Sequence, residues 1–368
     1  MAVYINNHIH TTYSFSPYTP TTAVEAAKAA GLQTAGIMDH DTCAGAHEFL
    51  AAAARLAMPA TCGLECRVDM SGTALAGRRL NNPDQVSIAY VAMHGIPHQH
   101  LDAVNAAFAP YREKRNLRNR KMTARIGETV APYGIRLDFD RDVLPLACGT
   151  VTERHLLFAL TKKITARFPT PDGVIGFLTG DMGLSLSQKQ IDVLRARDPR
   201  CYEYDVLGIL KGNLLKKFYI DATDECPPVA EFIKTVRRFG GIAAYAYLGD
   251  VTDSVTGDKA AQKFEDDYLD LLFAELKTLG FDAVTFMPTR NTPAQLDRVM
   301  ALCREHGFFQ ISGEDINSPR QSFVCRAYED PRFFHLIDAA FSLIGYENAA
   351  TENVEKAMEK YAFIFKNR

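Results

Sequence analysis

Short apolar runs alternate with helical stretches through the first hundred residues, and this alternation restricts the fold more than any other feature. The runs AVYIN, TAGIM, PATCGLE and VSIAYVAM are typical of strands, and TTAVEAAKAAG has the threonine start and glycine end of a capped helix. The pattern resumes after residue 235 with the runs IAAYAYL, FDAVTFM and FFQISG. Such β-α-β alternation is typical of a parallel sheet or barrel with helices outside it. The sequence therefore predicts an α/β barrel.

The segment between these two parts has a different character. A charged helical stretch, YREKRNLRNRKMTARIGETVAPYG, leads into helices broken by proline and glycine. We predict that residues 1–100 and 236–368 form the barrel and that residues 101–235 form an inserted, mainly helical cap. We interpret the arginine-rich helix as a solvent-exposed face whose side-chain stems lie along apolar surface. A phosphate-facing role for one or two of its arginines is the alternative.

Composition limits the partners of the chain. Its 368 residues are 47% hydrophobic and 23% charged, as in an ordinary globular protein, and the formal charge is -3. The chain lacks the excess of basic residues that binds a nucleic-acid backbone, so non-specific nucleic-acid binding is not expected. No apolar run approaches the roughly 20 residues of a membrane span. An anionic substrate would therefore be bound by local positive charge or by metal.

The eight cysteines are scattered and include no C-x-x-C pair, which favours a reducing, cytoplasmic location. Cys62 and Cys66 are four residues apart, but this spacing without a second pair or a nearby histidine is weak evidence for zinc. We interpret both thiols as small buried side chains. His98 and His100 follow no apolar run that would bring them to the barrel mouth, and we expect them to be exposed.

Side chains of metal-ligand type follow five of the strand-like runs. A lone H-x-H pair, such as His8 and His10, is most often an exposed strand end, although residues two apart in a strand do point the same way. In parallel α/β folds, however, the carboxyl ends of the strands meet at the active site. The five endings are His8 with His10, Asp39 with His40 and Asp41, Glu65 alone, His94 alone, and Glu314 with Asp315. Together they predict a metal site at one mouth.

The motifs HIHTTYS, GIMDHDTCAG, GLE and SGED resemble those of the PHP (polymerase and histidinol phosphatase) family of metal-dependent phosphoesterases. The resemblance implies a distorted (β/α)7 barrel that uses up to three manganese, iron or zinc ions to hydrolyse phosphate esters. It also extends to the inserted segment, which is similar to that of stand-alone members of the family.

Three positions depart from the family pattern. Phe15 stands where relatives have an aspartate ligand, Tyr247 replaces a histidine ligand, and Asn317 replaces the closing histidine. The resemblance then implies a first site that is complete, formed by His8, His10, Glu65 and Asp315. It implies a second site of Glu65 and His94, with Tyr247 as a doubtful third donor, and a third site that retains His40 alone. We expect one firmly held divalent ion, with the second site left open and no ion at the third.

The remaining candidates have roles near the mouth. We propose His40 and Arg320 as catalytic groups that stabilise the leaving group, although His40 could be a hydrogen-bonded strand-end histidine and Arg320 a solvated loop arginine. Asp39 and Asp41 are expected to orient ligands or to cap helices. His155 resembles the histidine of the family's GRPH segment, but a purely structural role fits it equally well.

These observations favour a metal-dependent phosphoesterase that acts on a small phosphorylated metabolite or nucleotide. A metal ion would lower the pKa of water to about 7, and the resulting hydroxide would attack phosphorus. The alternative is a catalytically impaired protein of the same fold, which binds metal and a phosphorylated ligand or partner without turnover. The sequence predicts neither the substrate nor the oligomeric state.

Overall fold

One sheet contains the seven strands, which lie side by side in the order in which they occur along the chain. The computed structural model describes residues 2–251 and 262–368. The strands are β1 Ile5–Ile9, β2 Thr34–His40, β3 Ala60–Asp69, β4 Ile88–His94, β5 Ile242–Ala246, β6 Ala283–Phe286 and β7 Phe309–Ser312. Each corresponds to one of the apolar runs that the sequence predicts as strands.

The sheet curves until its two edges nearly meet. Just beyond β7, Ile316 forms a parallel bridge with Ile9 of β1. The backbone N–H of His10 donates to the carbonyl of Ile316 (2.9 Å), and the N–H of Ile316 donates to the carbonyl of His8 (3.1 Å). The predicted barrel of seven strands is therefore confirmed.

One strand runs against the others. Strand β4 is antiparallel to both of its neighbours, β3 and β5, whereas all other neighbouring pairs are parallel. No helix lies between β3 and β4, and antiparallel neighbours do not need the helical crossover that parallel strands require. The carboxyl end of β4 therefore lies at the opposite end of the barrel from those of its two neighbours.

Twelve α-helices accompany the sheet in the part of the chain that the structure describes. They are α1 Pro20–Ala29, α2 Ala46–Arg55, α3 Leu101–Val130, α4 Glu153–Arg167, α5 Pro171–Gly176, α6 Gln188–Ala196, α7 Tyr202–Phe218, α8 Val229–Phe239, α9 Leu269–Leu279, α10 Pro293–His306, α11 Phe334–Glu352 and α12 Val354–Lys360. The Thr19 side chain accepts from the N–H of Thr22 and caps α1. Within the described ranges, no helix has the length and apolarity needed to cross a membrane.

Two large hydrophobic clusters organise the interior. The larger one joins the strands to the surrounding helices and includes Ile5, Phe49 and Phe232. The other lies mainly among α3 to α7, yet it also contains Phe15, which comes from the loop after β1. The division of the chain at residues 100 and 235 remains a prediction, but Phe15 shows that the helical region packs directly on a loop of the barrel mouth.

Buried ion pairs connect the arginine-rich helix α3 to its surroundings. An Nη1 atom of Arg115 donates to Asp41 (2.5 Å), while Arg118 donates to Glu225 (2.6 Å) and to Glu153 (2.7 Å). Both arginines are almost completely buried. The interpretation of this helix as a solvent-exposed face is therefore wrong for these two residues. Carboxylates on other segments offset part of the cost of burying their charge.

Candidate metal centre

Two histidines of β1 and a glutamate of β3 converge inside the barrel mouth. One ligand atom from each of His8, His10 and Glu65 lies within 4.8 Å of the other two, and all three residues are buried. The Nε2 atom of His8 is 3.9 Å from Oε1 of Glu65. Because residues two apart in a strand share a face, the H-x-H spacing places both imidazoles toward this glutamate.

Asp315 supplies a fourth candidate ligand from the segment after β7. Its Oδ1 atom lies 3.2 Å from Nε2 of His10, and its side chain is half-buried. Gly313 permits this approach, because a Cβ atom at that position would lie only 2.8 Å from Cβ of His8. The structure thus brings together the four residues that the sequence predicts as the first metal site.

The donor set fits a divalent cation. The Nε2 atoms of His8 and His10 are buried and have no hydrogen-bond partner among the described residues. Buried polar atoms usually have such partners, so nitrogens aimed at a shared point between two carboxylates indicate ligands for an ion. Two imidazoles with two carboxylates are suited to manganese, iron or zinc.

Burial and neighbouring charges shift the pKa values of the candidate ligands. Burial lowers the pKa of His8, and the carboxylate of Glu65 only partly offsets this effect. Burial also opposes ionisation of Glu65, yet His40 and His8 hold its pKa below its usual value. For Asp315, His10 outweighs the effect of burial and holds the pKa well below its usual range. The carboxyl groups are therefore ionised near neutral pH, as metal ligands must be.

Asp39 is linked to His10 through hydrogen bonds on the side of the ring away from Asp315. Its carboxylate accepts hydrogen bonds from the N–H of Thr11 (2.7 Å), the hydroxyl of Thr11 (2.6 Å) and the hydroxyl of Ser14 (2.6 Å). The Ser14 hydroxyl also lies 3.2 Å from Nδ1 of His10. Asp39 thus orients a ligand rather than acting as one, as the sequence predicts.

His40 lies beside the candidate ligands. Its Nδ1 atom is 3.0 Å from Oε2 of Glu65, and its ring centroid is 4.7 Å from that of His10. The last residue of β2 is therefore in the mouth, as expected, and one face of its side chain contributes to the cavity wall.

His94 is not where the sequence places it. It pairs with Gly63 of β3 and with Ile242 at the start of β5, whereas Glu65 pairs with Ala92. His94 is therefore about 7 Å deeper along the sheet than Glu65, at the end away from the mouth. It neither joins the group of His8 nor lines the cavity, so its prediction as a metal ligand is wrong. The error comes from the antiparallel direction of β4.

Tyr90, and not His94, is the β4 residue that lies near the mouth. It pairs with Arg67, lines the cavity, and its ring centroid is 6.0 Å from that of His40. Residues 70–87 show no helical pattern, and this signal could have indicated an antiparallel strand and hence the correct end of β4. Sequence reasoning missed Tyr90 because it took β4 to run parallel to its neighbours, which would put the other end of the strand at the mouth.

The three departures from the family pattern have distinct structural roles. The Tyr247 hydroxyl donates to Asp266 (2.6 Å), so its suggested part as a third donor is not supported. Asn317 donates from Nδ2 to Oδ1 of Asp315 (2.6 Å) and accepts at Oδ1 from Arg154 (2.7 Å). It therefore links a cavity arginine to a candidate metal ligand.

Phe15 is packed against aromatic side chains of the helical region. Its ring centroid lies 4.9 Å from that of His155 and 5.6 Å from that of Phe158. The Nδ1 atom of His155 accepts from the backbone N–H of Thr152 and caps α4. Burial lowers the pKa of His155 to about 3. The geometry thus matches the structural role for His155 that the sequence left open.

Two further candidates are engaged in ion pairs. Asp41 accepts from Arg115 and adopts a left-handed backbone conformation (φ 54°), so it belongs to the buried pairs and not to the ligand group. Arg320 makes a two-pronged ion pair with Asp205 of α7, at 2.6 and 2.7 Å, and does not line the cavity. Its proposed catalytic role is therefore corrected, because Asp205 neutralises its charge away from the candidate ligands.

A cavity of about 200 Å³ opens above the candidate metal ligands. The cationic residues that line it are Arg115, Arg154, Lys211 and Arg290. Arg154 donates to Asn317, and its guanidinium lies 5.9 Å from the Phe15 ring centroid. Sequence reasoning missed Arg154, although it is next to His155 at the start of α4.

Comparisons with known proteins agree with this architecture. The family model of the PHP domain matches residues 6–128. A candidate metal-dependent phosphoesterase from Bifidobacterium adolescentis ATCC 15703 has a similar structure, with 20% identity and a TM-score of 0.57 over 92% of this chain and 97% of its own. An amidohydrolase from Chromobacterium violaceum, described with bound sulfate and no metal, has 18% identity, a TM-score of 0.57 and the same coverage. No curated protein matches the chain in sequence.

The family match covers the segment that carries three of the four candidate metal ligands. His8, His10 and Glu65 all lie within residues 6–128, whereas Asp315 reaches them only through the closure of the barrel. At these levels of identity the two solved structures support the fold and nothing finer. The family model thus assigns a PHP domain to residues 6–128, and the seven-stranded barrel has a fold of the same type as the two solved structures.

Proposed function

We propose that this protein is a metal-dependent hydrolase of phosphate esters that acts on a small phosphorylated metabolite or nucleotide. The observation that carries the proposal is the set of two imidazole nitrogens, which have no hydrogen-bond partner among the described residues, and two ionised carboxylates below a cavity with cationic side chains. His8, His10, Glu65 and Asp315 would hold the ion. When bound, a divalent cation supplies Lewis-acid charge and lowers the pKa of water.

Arg154 is suited to bind the phosphate group. It lies in the first turn of α4, where the helix dipole also favours an anion, and Asn317 fixes one of its nitrogens at 2.7 Å. A guanidinium can bind two phosphate oxygens at once, which would orient the ester above the candidate ligands. Arg154 takes the place that the sequence analysis gives to Arg320.

His40 is suited to assist the leaving group. Its ring lines the cavity, and Glu65 lies 3.0 Å from Nδ1. A carboxylate beside one ring nitrogen favours the tautomer with the proton on that nitrogen, and so leaves the other nitrogen to take part in proton transfer. We therefore keep His40 as a proposed catalytic residue.

A binding protein without turnover is the second candidate. Two observations favour it: the Tyr247 hydroxyl is bound to Asp266, and Phe15 is buried among aromatic rings, so neither replaces the ligand that relatives are expected to have there. One firmly held ion would then stabilise the fold or position a phosphorylated ligand. The small-molecule partner and the cytoplasmic location remain proposals for either function.

Catalysis by the purified full chain distinguishes the two candidates. The protein is loaded in turn with Mn²⁺, Fe²⁺ or Zn²⁺ and assayed on an aryl phosphate monoester and a diester, beside His8→Ala. We expect cleavage by the wild type with at least one metal, and its loss in His8→Ala. If no metal gives a rate above that of His8→Ala, the hydrolase assignment is wrong. Metal-dependent stability in the absence of turnover would then support the binding protein.

A further inference from the structure

A second group of metal-ligand side chains lies outside the barrel mouth. One ligand atom from each of Cys62, His98 and Glu347 lies within 4.8 Å of the other two. The three residues come from β3, from the short 3-10 turn at residues 98–100 and from α11. Nothing in their sequence spacing indicates the group, because the barrel alone brings these remote positions together.

The group is separate from the candidate metal centre. Cys62 precedes Glu65 by three residues, so the two side chains lie on opposite faces of the sheet and are about 10 Å apart along the strand. No ion at the mouth could share these ligands. The inference that follows therefore does not depend on the proposed hydrolase function.

The nitrogen and sulfur ligand atoms both lie close to one carboxylate oxygen of Glu347. The Oε1 atom of Glu347 lies 2.9 Å from Nε2 of His98 and 3.3 Å from Sγ of Cys62. Ligand atoms around a tetrahedral zinc ion are separated by roughly 3.4 Å, since the bonds are about 2.0 to 2.3 Å long. The observed separations need only small adjustments to accept such an ion.

We propose that Cys62, His98 and Glu347 form a zinc-binding site, with solvent as a fourth ligand. A thiolate and a carboxylate together neutralise the charge of Zn²⁺, and a neutral imidazole completes the protein ligands. The thiol loses its proton to solvent when the ion binds. The His98 side chain is 31% exposed, so an ion can enter from that side.

Neighbouring groups would hold the carboxylate in place. The Thr61 hydroxyl and the backbone N–H of Cys62 both donate to the other oxygen of Glu347, at 2.5 and 3.0 Å. Glu347 is fully buried, and partners of this kind orient ligands in metal sites. In the absence of an ion, burial and the Glu347 carboxylate raise the pKa of Cys62 well above its usual value. The thiol would then serve only as a hydrogen-bond donor.

Cobalt provides a specific probe, because a thiolate ligand gives Co²⁺ an intense sulfur-to-metal absorption that nitrogen and oxygen ligands do not give. The full chain is stripped with a chelator, titrated with Co²⁺ and then with Zn²⁺, and its bound metal is counted. We expect the absorption in the wild type and in His8→Ala, which loses only the ion at the mouth. Cys62→Ser should lose the whole absorption and one equivalent of zinc.

Two further variants complete the test. Cys303→Ser changes another buried thiol, on α10, and should leave the absorption unchanged. His98→Gln changes the partly exposed ligand and should lose the absorption, so it decides the question if Cys62→Ser does not fold. If the wild type gives no thiolate absorption, or if His98→Gln keeps it, the group is only a buried carboxylate with three hydrogen-bonded neighbours and the proposal is wrong.

Discussion

Oδ1 of Asp39 lies 4.0 Å from Nδ1 of His10, and the hydroxyl of Ser14 bridges the two. Asp39 is on β2 and His10 follows β1, so the neighbouring parallel strands place a carboxylate directly behind a candidate metal ligand. The ring of His10 is thereby fixed with Nε2 toward Asp315.

Asp39→Asn should weaken metal binding and leave the fold intact. The neutral amide can replace only part of the carboxylate's hydrogen bonds to Thr11 and Ser14, and loss of such a partner typically reduces metal affinity by about 10- to 100-fold. Titration of the metal-free protein with Zn²⁺, followed by calorimetry, measures the change. The exposed Asp102→Asn serves as the control, and equal affinities for both variants would contradict the supporting role of Asp39.

Arg154→Ala should raise KM for a phosphate ester, while Arg320→Ala should leave it near the wild-type value. A hydrogen bond to a charged group contributes about 1.5 to 3 kcal/mol, which corresponds to roughly a 10- to 100-fold change. Arg320 is paired with Asp205 outside the cavity, so it provides a matched arginine control. Steady-state kinetics on the best ester decides between them. A larger effect of Arg320→Ala would restore the role predicted from sequence.

Phe15→Asp should destabilise the protein strongly. The ring is buried and contacts His155, Phe158 and Tyr204, and removal of a buried phenylalanine side chain costs about 3 to 5 kcal/mol even without adding a charge. Phe363 is 46% exposed, so Phe363→Asp should change the free energy of unfolding far less. Urea unfolding of both variants measures the difference. Similar stabilities would show that Phe15 does not join the helical region to the barrel.

Glu265→Gln should stabilise the protein at neutral and alkaline pH. Burial raises the pKa of Glu265 to about 8, while one of its oxygens accepts from the N–H of Leu248 (2.9 Å). The folded protein then binds this proton more tightly than the unfolded chain, whose carboxyl has a pKa near 4.3. Stability contributed by the group is complete below about pH 4 and decreases as pH rises toward 8.

The glutamine variant should lack this decrease. Its free energy of unfolding, measured by urea titration between pH 5 and 9, should exceed that of the wild type by an amount that grows with pH. Each pKa unit corresponds to about 1.36 kcal/mol, so the gain at pH 8 should reach a few kcal/mol at most. Parallel pH profiles for the two proteins would show that Glu265 is ionised in the fold at neutral pH.

Much of the candidate metal centre could be predicted because its ligands follow local rules. His8, His10, His40 and Asp315 come at or just after strands that run parallel to one another, and such strands end at the same edge of a barrel. The alternation of apolar and helical segments also predicts all seven strands. For these features, the order of residues along the chain is sufficient.

Two features did not follow from the pattern of apolar runs and became clear in the folded structure: the direction of β4 and the partners of the charged side chains. Strand direction depends on how the connection crosses the sheet, and the reversal of β4 places His94 deep in the barrel and Tyr90 near the mouth. An ion pair depends on which distant segment supplies the opposite charge, as Asp205 does for Arg320 and Asp41 does for Arg115. The order of residues is enough to show which side chains follow each strand, while long-range packing brings together the ones that meet.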